Sequence, residues 1–437
     1  MAQTTVELKV KQSIGSKSKL FRYSGKELIT VDSSRADSVG VYRFNIPDSA
    51  SQGLYRISVG KTGSIDFIVA NEPLVKFETV VYAIEDSLKV LESEENKIFV
   101  EYSKLKHSKE QQQWLLGSLL SYYPVGSPFA QQLGDEKQQA EFEFHQKAVA
   151  FTALDSTLFV SNYINLDTKP FIIDATDECS YKNQLTGVWW KKVDLTDERL
   201  LNTPILIKNV WDYLENSICE SSYDKEQQDS VFVARIASLL NTAMGENARN
   251  QIVGSLCRGF SDSDYYGTLN YLLRNGGNSA QELARNVELR AKLTLEETIA
   301  VGAKAFDFKV KPLAGKPFRL SSERSPYKLV IFWSVTCPHC TEMLPQLIAI
   351  YSDYADRGFS IIAVSIDEET GLWKKYIDEK HTPWYNMQLN GDNYSNSIIT
   401  RYNVDETPKM FLIDRNLKII SRPSSAEQLR LKLKKLL

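Results

Sequence analysis

Cys337 and Cys340 enclose Pro338 and His339, directly after the apolar run at 328–333 and at the start of a stretch with helical periodicity. The placement matters more than the spacing. The first turn of a helix has unpaired backbone N–H groups and a partial positive charge, and both favour an anion. A thiolate on Cys337 gains from each, which places its pKa below the ~8.5 of a free cysteine. A protonated His339 would add positive charge nearby. Two intervening residues bring the second sulfur within one helical turn of the first, so a reducible disulfide can close. The chemistry this implies is dithiol–disulfide exchange.

Other uses of the two sulfurs fit less well. A structural zinc site needs four ligands, and there is no second spaced pair of cysteines. Covalent haem attachment needs a histidine directly after Cys340, where Thr341 stands. A thiol peroxidase expects Pro and Thr or Ser at fixed places before a single cysteine; Ser334 meets one and Val330 fails the other. The expected redox group is therefore the Cys337–Cys340 disulfide itself, with no cofactor and no metal.

The remaining cysteines, Cys179, Cys219 and Cys257, read as small buried apolar residues, although Cys219 and Cys257 could pair in an oxidising compartment. His107, His145 and His381 read as surface or satisfied histidines. The aromatic pairs Trp189-Trp190, Tyr122-Tyr123 and Tyr265-Tyr266 read as packing between helices.

The elements that position the sulfurs belong to the last of three compositional regimes. From Val6 to about Val80 the period is two: Val6, Leu8 and Val10; Tyr42, Phe44 and Ile46; Tyr55, Ile57 and Val59; Ile65, Phe67 and Val69. Turn signals separate these runs at Pro47-Asp48, Gly53 and Gly60-Lys61-Thr62-Gly63, which predicts an N-terminal antiparallel β-sandwich over 1–81. Residues 82–298 shift to helical periodicity and predict an all-α domain of roughly eight to ten helices. Leu88, Val90 and Leu91 open one helical stretch, Thr203-Pro204 reads as a cap and first position of another, and 280–293 forms a third with Leu283, Val287 and Leu289 apolar. From 299 to 437 strands and helices alternate, which predicts an α/β layer domain. Its strands fall at 328–333, 359–365, 409–413 and 417–421, and its last helix carries Leu429, Leu431, Leu433 and Leu436. Pro345 interrupts the helix after the cysteines. Thr407-Pro408 precedes a strand as a cis turn would.

Residues 299–437 resemble the thioredoxin superfamily, most of all the TlpA/ResA-like thiol–disulfide oxidoreductases grouped near the alkyl hydroperoxide reductase and thiol-specific antioxidant proteins. The residues that carry the resemblance are Val301-Gly302-Ala303-Lys304-Ala305-Phe306-Asp307-Phe308, Gly315-Lys316, Phe332-Trp333-Ser334-Val335-Thr336-Cys337, Pro345 and Thr407-Pro408. The resemblance implies that Cys337 attacks, that Cys340 resolves the mixed disulfide, that Pro338 and His339 tune the thiolate, and that Trp333, Thr407 and Pro408 line a peptide-binding edge. It implies protein thiols and disulfides as partners, together with a separate redox partner. The family's usual proton acceptor is absent: Met343 and Ile331 stand at its two expected places, leaving Glu342, Asp367 and Glu368 as substitutes. Pro338-His339 is the dipeptide of strongly oxidising relatives, which suggests a couple more oxidising than thioredoxin without fixing the direction of electron flow. The domain order is similar to that of multidomain envelope proteins, in which the first two regions would capture or position the partner. The alternatives are a binding or scaffold protein whose thioredoxin-like module does not turn over, and the thiol peroxidase.

The whole sequence narrows the setting. Its 437 residues argue for several domains, and 43 % apolar with 11 % aromatic content excludes a mainly disordered chain. Fifty-two basic and 55 acidic side chains give a net charge of −3, with no basic field for nucleic acid. The longest apolar runs, 329–333 and 411–413, fall far short of the ~18 residues that read as a membrane-spanning helix. The opening Met1-Ala2-Gln3 has no signal-like segment behind it. A cytoplasmic setting follows from that alone; the resemblance favours the periplasm or cell envelope, with a signal removed ahead of this numbering.

Overall fold

The structure is a computed structural model that describes residues 4–47, 51–60, 63–219, 223–261, 263, 265–277, 280, 287–310, 312–313, 317–389 and 392–437. Of the sequence features above, Asp48, Lys61-Thr62, 281–286 and Gly315-Lys316 lie outside the described residues. The chain divides into two compact units: residues 1–221, 231–259 and 275–280, and residues 222–230, 260–274 and 281–437.

In the first unit, eight strands form two four-stranded sheets: β1 (Thr4–Lys11), β2 (Lys17–Ser24), β3 (Glu27–Arg35), β4 (Val41–Ile46), β5 (Gly53–Val59), β6 (Gly63–Val69), β7 (Leu74–Val80) and β8 (Lys89–Glu92). Their orders are β4-β1-β7-β8 and β3-β2-β5-β6. Alternate residues Val6, Leu8 and Val10 face Tyr42, Phe44, Tyr55, Ile57, Phe67 and Phe77 in a shared core, as period-two patterning requires. The sandwich is not wholly antiparallel, because β1 and β7 pair in parallel. Val90 and Leu91, expected to open a helix, lie in β8, with Leu88 just before it. This short strand closes the sheet edge by pairing antiparallel with β7, Val90 opposite Phe77.

Helix formation begins only after Ser93, whose Oγ accepts the Asn96 N–H. Nine helices follow among the described residues: α1 (Glu94–Leu120), α2 (Pro128–Leu154), α3 (Phe159–Asp167), α4 (Glu178–Val188), α5 (Ile205–Glu215), α6 (Lys225–Leu240), α7 (Glu246–Ser261), α8 (Tyr266–Asn275) and α9 (Val287–Thr298). At α5 the expected Thr203 cap is absent: Pro204 occupies the cap position, and the Thr203 hydroxyl donates to the Leu200 carbonyl of the preceding turn at 2.7 Å. Cys179 and Cys219 form a disulfide. That corrects both the reading of the two as free residues and the Cys219–Cys257 pairing; Cys257 is a buried free thiol.

The second unit holds a two-stranded ribbon, β9 (Lys309–Val310) and β10 (Phe318–Arg319), and a five-stranded sheet. The sheet comprises β11 (Tyr327–Trp333), β12 (Phe359–Ser365), β13 (Tyr385–Gln388), β14 (Lys409–Asp414) and β15 (Ile419–Ser421), in the order β13-β12-β11-β14-β15. Its helices are α10 (Pro338–Tyr354), α11 (Thr370–Lys380), α12 (Asn393–Arg401) and α13 (Ala426–Leu436). The central β11 is buried on both faces, which explains its unbroken apolar run. Leu329, Ile331 and Trp333 pack with Leu344 and Leu347 of α10 and Leu429 and Leu433 of α13, whereas Val330 and Phe332 pack with Ile398, Tyr402 and Phe308. Leu431, expected on the apolar face of α13, is exposed. No helix of the described residues is long and apolar enough to cross a membrane.

Candidate active site

β11 pairs in parallel with β12 and antiparallel with β14, so three chain segments meet where β11 ends at Trp333. These are the 334–337 loop into α10, the 366–368 turn after β12, and Thr407-Pro408 ahead of β14. The Thr407-Pro408 peptide is cis.

Cys337 is the N-cap of α10. Its Sγ accepts the Cys340 N–H at 3.4 Å and, as a thiol, donates to the Thr407 carbonyl at 3.2 Å. The sulfur is half-buried, while Cys340 behind it is fully buried. Both thiols are free. Burial opposes ionisation of Cys337. The Cys340 thiol, the Thr407 hydroxyl and the backbone amides of Cys340 and His339 outweigh it and hold the Cys337 pKa below the ordinary thiol value. Burial pushes the Cys340 thiol the other way, and the adjacent Cys337 adds to this, raising it to about 12. The two thiols are thus shifted in opposite directions, Cys337 towards and Cys340 away from the thiolate.

Pro338 and His339 are exposed on the first turn of α10. What His339 contributes to the sulfur is its backbone amide. Thr407 and Pro408 are half-buried beside Cys337. Trp333, expected on the substrate edge, is instead 1 % exposed. As an alternate residue of the central strand it points into the core beneath α10, where its ring lies 5.6 Å from that of Tyr376.

The candidate proton acceptors separate clearly. Glu342 and Glu368 are exposed. Asp367 is buried, and both its carboxylate oxygens are occupied. Oδ1 accepts from the Ser334 hydroxyl at 2.5 Å and the Val335 N–H at 3.1 Å; Oδ2 accepts from the same N–H at 3.0 Å and the Ser365 hydroxyl at 2.8 Å. Asp367 therefore ties the loop that presents Cys337 to the end of β12.

Tyr376 was not found from the sequence. Pro345 has no N–H for the carbonyl of Thr341, four residues earlier, and the Tyr376 hydroxyl donates to that carbonyl at 3.4 Å. Burial, followed by the neighbouring Cys340, raises the Tyr376 pKa and keeps the hydroxyl protonated as a donor. The available signal was the proline itself, which orphans one helical carbonyl and so calls for an outside donor. Among the described residues no group of three or more His, Cys, Asp or Glu is arranged to hold a metal ion.

A half-exposed low-pKa thiol at a helix N-terminus, a buried partner one turn on and an adjacent cis-proline define a thioredoxin-like site, and residues 326–419 match the thioredoxin-like family. The C-terminal part of this multidomain chain is a thioredoxin-like domain with thiol–disulfide oxidoreductases among its relatives. The thiol-disulfide oxidoreductase ResA of Bacillus thuringiensis subsp. konkukian is 29 % identical over 147 residues, 33 % of this chain and 82 % of that protein. ResA of Geobacillus kaustophilus is 29 % identical over 123 residues, 28 % of this chain and 68 % of that protein. Among solved structures, the thioredoxin domain of a thiol-disulfide oxidoreductase from Bacteroides vulgatus is 28 % identical, with a TM-score of 0.30 over 31 % of this chain and 97 % of that one.

Proposed function

We propose that the protein exchanges disulfides with protein partners through Cys337 and Cys340, in the cell envelope. The observation that carries this is the split between the sulfurs: a half-exposed Cys337 with a lowered pKa and a buried Cys340 held protonated directly behind it.

In the reducing direction the Cys337 thiolate attacks one sulfur of a partner disulfide. The partner's S–S bond breaks, its other sulfur leaves with the electron pair and takes a proton from water, and a mixed disulfide forms. Cys337 is now uncharged and no longer accepts from Cys340, so its share in raising the Cys340 pKa disappears. Cys340 loses its proton to solvent and attacks Cys337. This releases the partner's second thiolate and leaves the Cys337–Cys340 disulfide, so two electrons have passed to the partner. Oxidation of a partner dithiol runs the same steps in reverse. The edge at Thr407-Pro408 would align the partner's backbone for in-line attack. Residues 299–437 form the redox domain in this reading, and regions 1–81 and 82–298 capture or position the partner. The Cys179–Cys219 disulfide supports an oxidising compartment.

Full-length protein is to be assayed for reduction of a model protein's disulfides in a dithiol buffer. Cys337→Ser is expected to abolish turnover, and Cys340→Ser to accumulate a mixed disulfide at Cys337. Full activity in Cys337→Ser would defeat the proposal and favour a scaffold role.

A further inference from the structure

In the first unit α1 and α2 form an antiparallel hairpin whose tip differs from the rest of the chain. Residues 111–134 contain no Asp, Glu, Lys, Arg or His, in a chain that is 24 % charged. The buried residues of α1 end at Tyr102. Apolar side chains around the turn face solvent: Trp114 is 70 % exposed and Tyr122 86 %, Val125 is fully exposed, and Leu115, Leu119 and Phe129 are exposed beside them. Tyr122 and Tyr123, expected to pack between helices, are therefore surface residues. Tyr123 closes the turn against Phe129, with ring centroids 4.7 Å apart.

Two features identify what covers this tip. The first is the level at which charge resumes. The Gln113 side chain donates to the Lys137 carbonyl at 2.8 Å and Lys109 pairs with Glu141 at 2.7 Å, so Leu115 of α1 lies level with Asp135 of α2. Beyond that level lie about 8 Å of helix and the turn, with no charged residue in either arm. This depth matches the roughly 5–10 Å to which amphipathic surfaces enter the boundary between headgroups and acyl chains. Trp114 sits at the level where an indole favours the headgroups. A protein partner does not require charge to stop at one level on two helices; a planar lipid surface does. The second feature is the backbone of the turn. The N–H groups of Ser121, Tyr122, Tyr123 and Ser127 donate to the carbonyls of Gly117, Leu119, Leu120 and Pro124, and Pro124 and Pro128 have no N–H. A turn whose amides are already paired loses little on leaving water.

We propose that the tip of the α1–α2 hairpin inserts into the interfacial layer of a phospholipid bilayer, with Trp114, Tyr122 and Val125 as its anchors. The collar behind it, Glu110, Asp135, Glu136 and Lys137, mixes both signs of charge, so insertion needs no anionic headgroup. The tip is independent of the redox centre and of the function proposed for it.

The test is flotation of the full-length protein with vesicles of phosphatidylcholine, alone or mixed with phosphatidylglycerol. The protein is expected to float with both, and to the same extent at low and high salt. Val125→Asp puts a charge at a fully exposed position, and Trp114→Gln/Tyr122→Gln replaces exposed side chains, so both variants should fold normally by circular dichroism. Each is expected to weaken partitioning at least about tenfold. Leu154→Gln changes a similarly exposed apolar residue at the far end of α2 and should leave partitioning unchanged. No flotation with either vesicle, flotation that requires phosphatidylglycerol and is lost at high salt, or flotation unaffected by the tip substitutions would each overturn the proposal. So would an equal loss in Leu154→Gln, or a lipid-free dimer that the tip substitutions dissociate, in which case a second copy of the chain covers the tip.

Discussion

At Cys337 two opposing effects act on one sulfur. Burial alone would raise its pKa; four hydrogen-bonding groups, the Cys340 thiol foremost among them, lower it further than burial raises it. Alkylation consumes the thiolate, so a lowered pKa moves the rise in rate to lower pH. With iodoacetamide, the reduced protein is expected to modify Cys337 along a curve whose midpoint lies below the ~8.5 of a free cysteine. Cys340, pushed up to about 12, should stay unmodified throughout. Cys340→Ala removes the thiol donor and should shift the Cys337 midpoint upward. A midpoint at or above that of free cysteine would show that burial wins and that the helix terminus does not activate this sulfur. The placement of this pair, on the first turn of a helix that follows a buried strand, was legible from residue type and spacing. The loop contacts of Asp367 were not, because Ser334 and Val335 lie far from it in sequence and meet it only through the pairing of β11 with β12.

Among elements, the junction between α1 and β6 shows how a helix can finish a sheet. β6 is an edge strand of its sheet, and edges leave backbone groups unpaired. Asn96, fully buried in the first turn of α1, accepts the Ile68 N–H at 2.7 Å and donates to the Ile68 carbonyl at 2.8 Å, as a neighbouring strand would. Asn96→Ala leaves both groups buried and unpaired. The expected cost is about 2–6 kcal/mol at roughly 1–3 per orphaned group, read as a lower urea midpoint for this part of the chain. A shift below the error of the measurement would mean that water replaces the side chain. The sequence makes regular elements visible through patterning: β1, β4, β5 and β6 were readable from their period of two, and β11 from its unbroken apolar run. It hides elements defined by partners far along the chain. Val90 and Leu91 look helical until β7 is seen beside them, and Trp333 looks like a surface aromatic until the central strand is covered on both faces.

For the molecule as a whole, two sulfur pairs play opposite parts. Cys337 and Cys340 are free and adjacent in the second unit, whereas Cys179 and Cys219, 40 residues apart, are bonded in the first. Their pairing could not be read from sequence, since three scattered cysteines allow several bridges and only tertiary approach selects one. Cross-linking over a loop of this length restricts the unfolded chain by about 3–4 kcal/mol in the chain-entropy account. Cys179→Ser/Cys219→Ser is therefore expected to lower the stability of the first unit by about that amount, with no change in Cys337 alkylation or disulfide exchange by the second unit. The same loss should follow when wild-type protein is held at a cytosolic glutathione poise long enough to open the bridge. That would tie the fold of the first unit to an oxidising compartment. Should the double variant instead lose exchange activity while remaining folded, the Cys179–Cys219 bridge would be a participant in electron transfer rather than a staple, and the division of labour between the two pairs would fail.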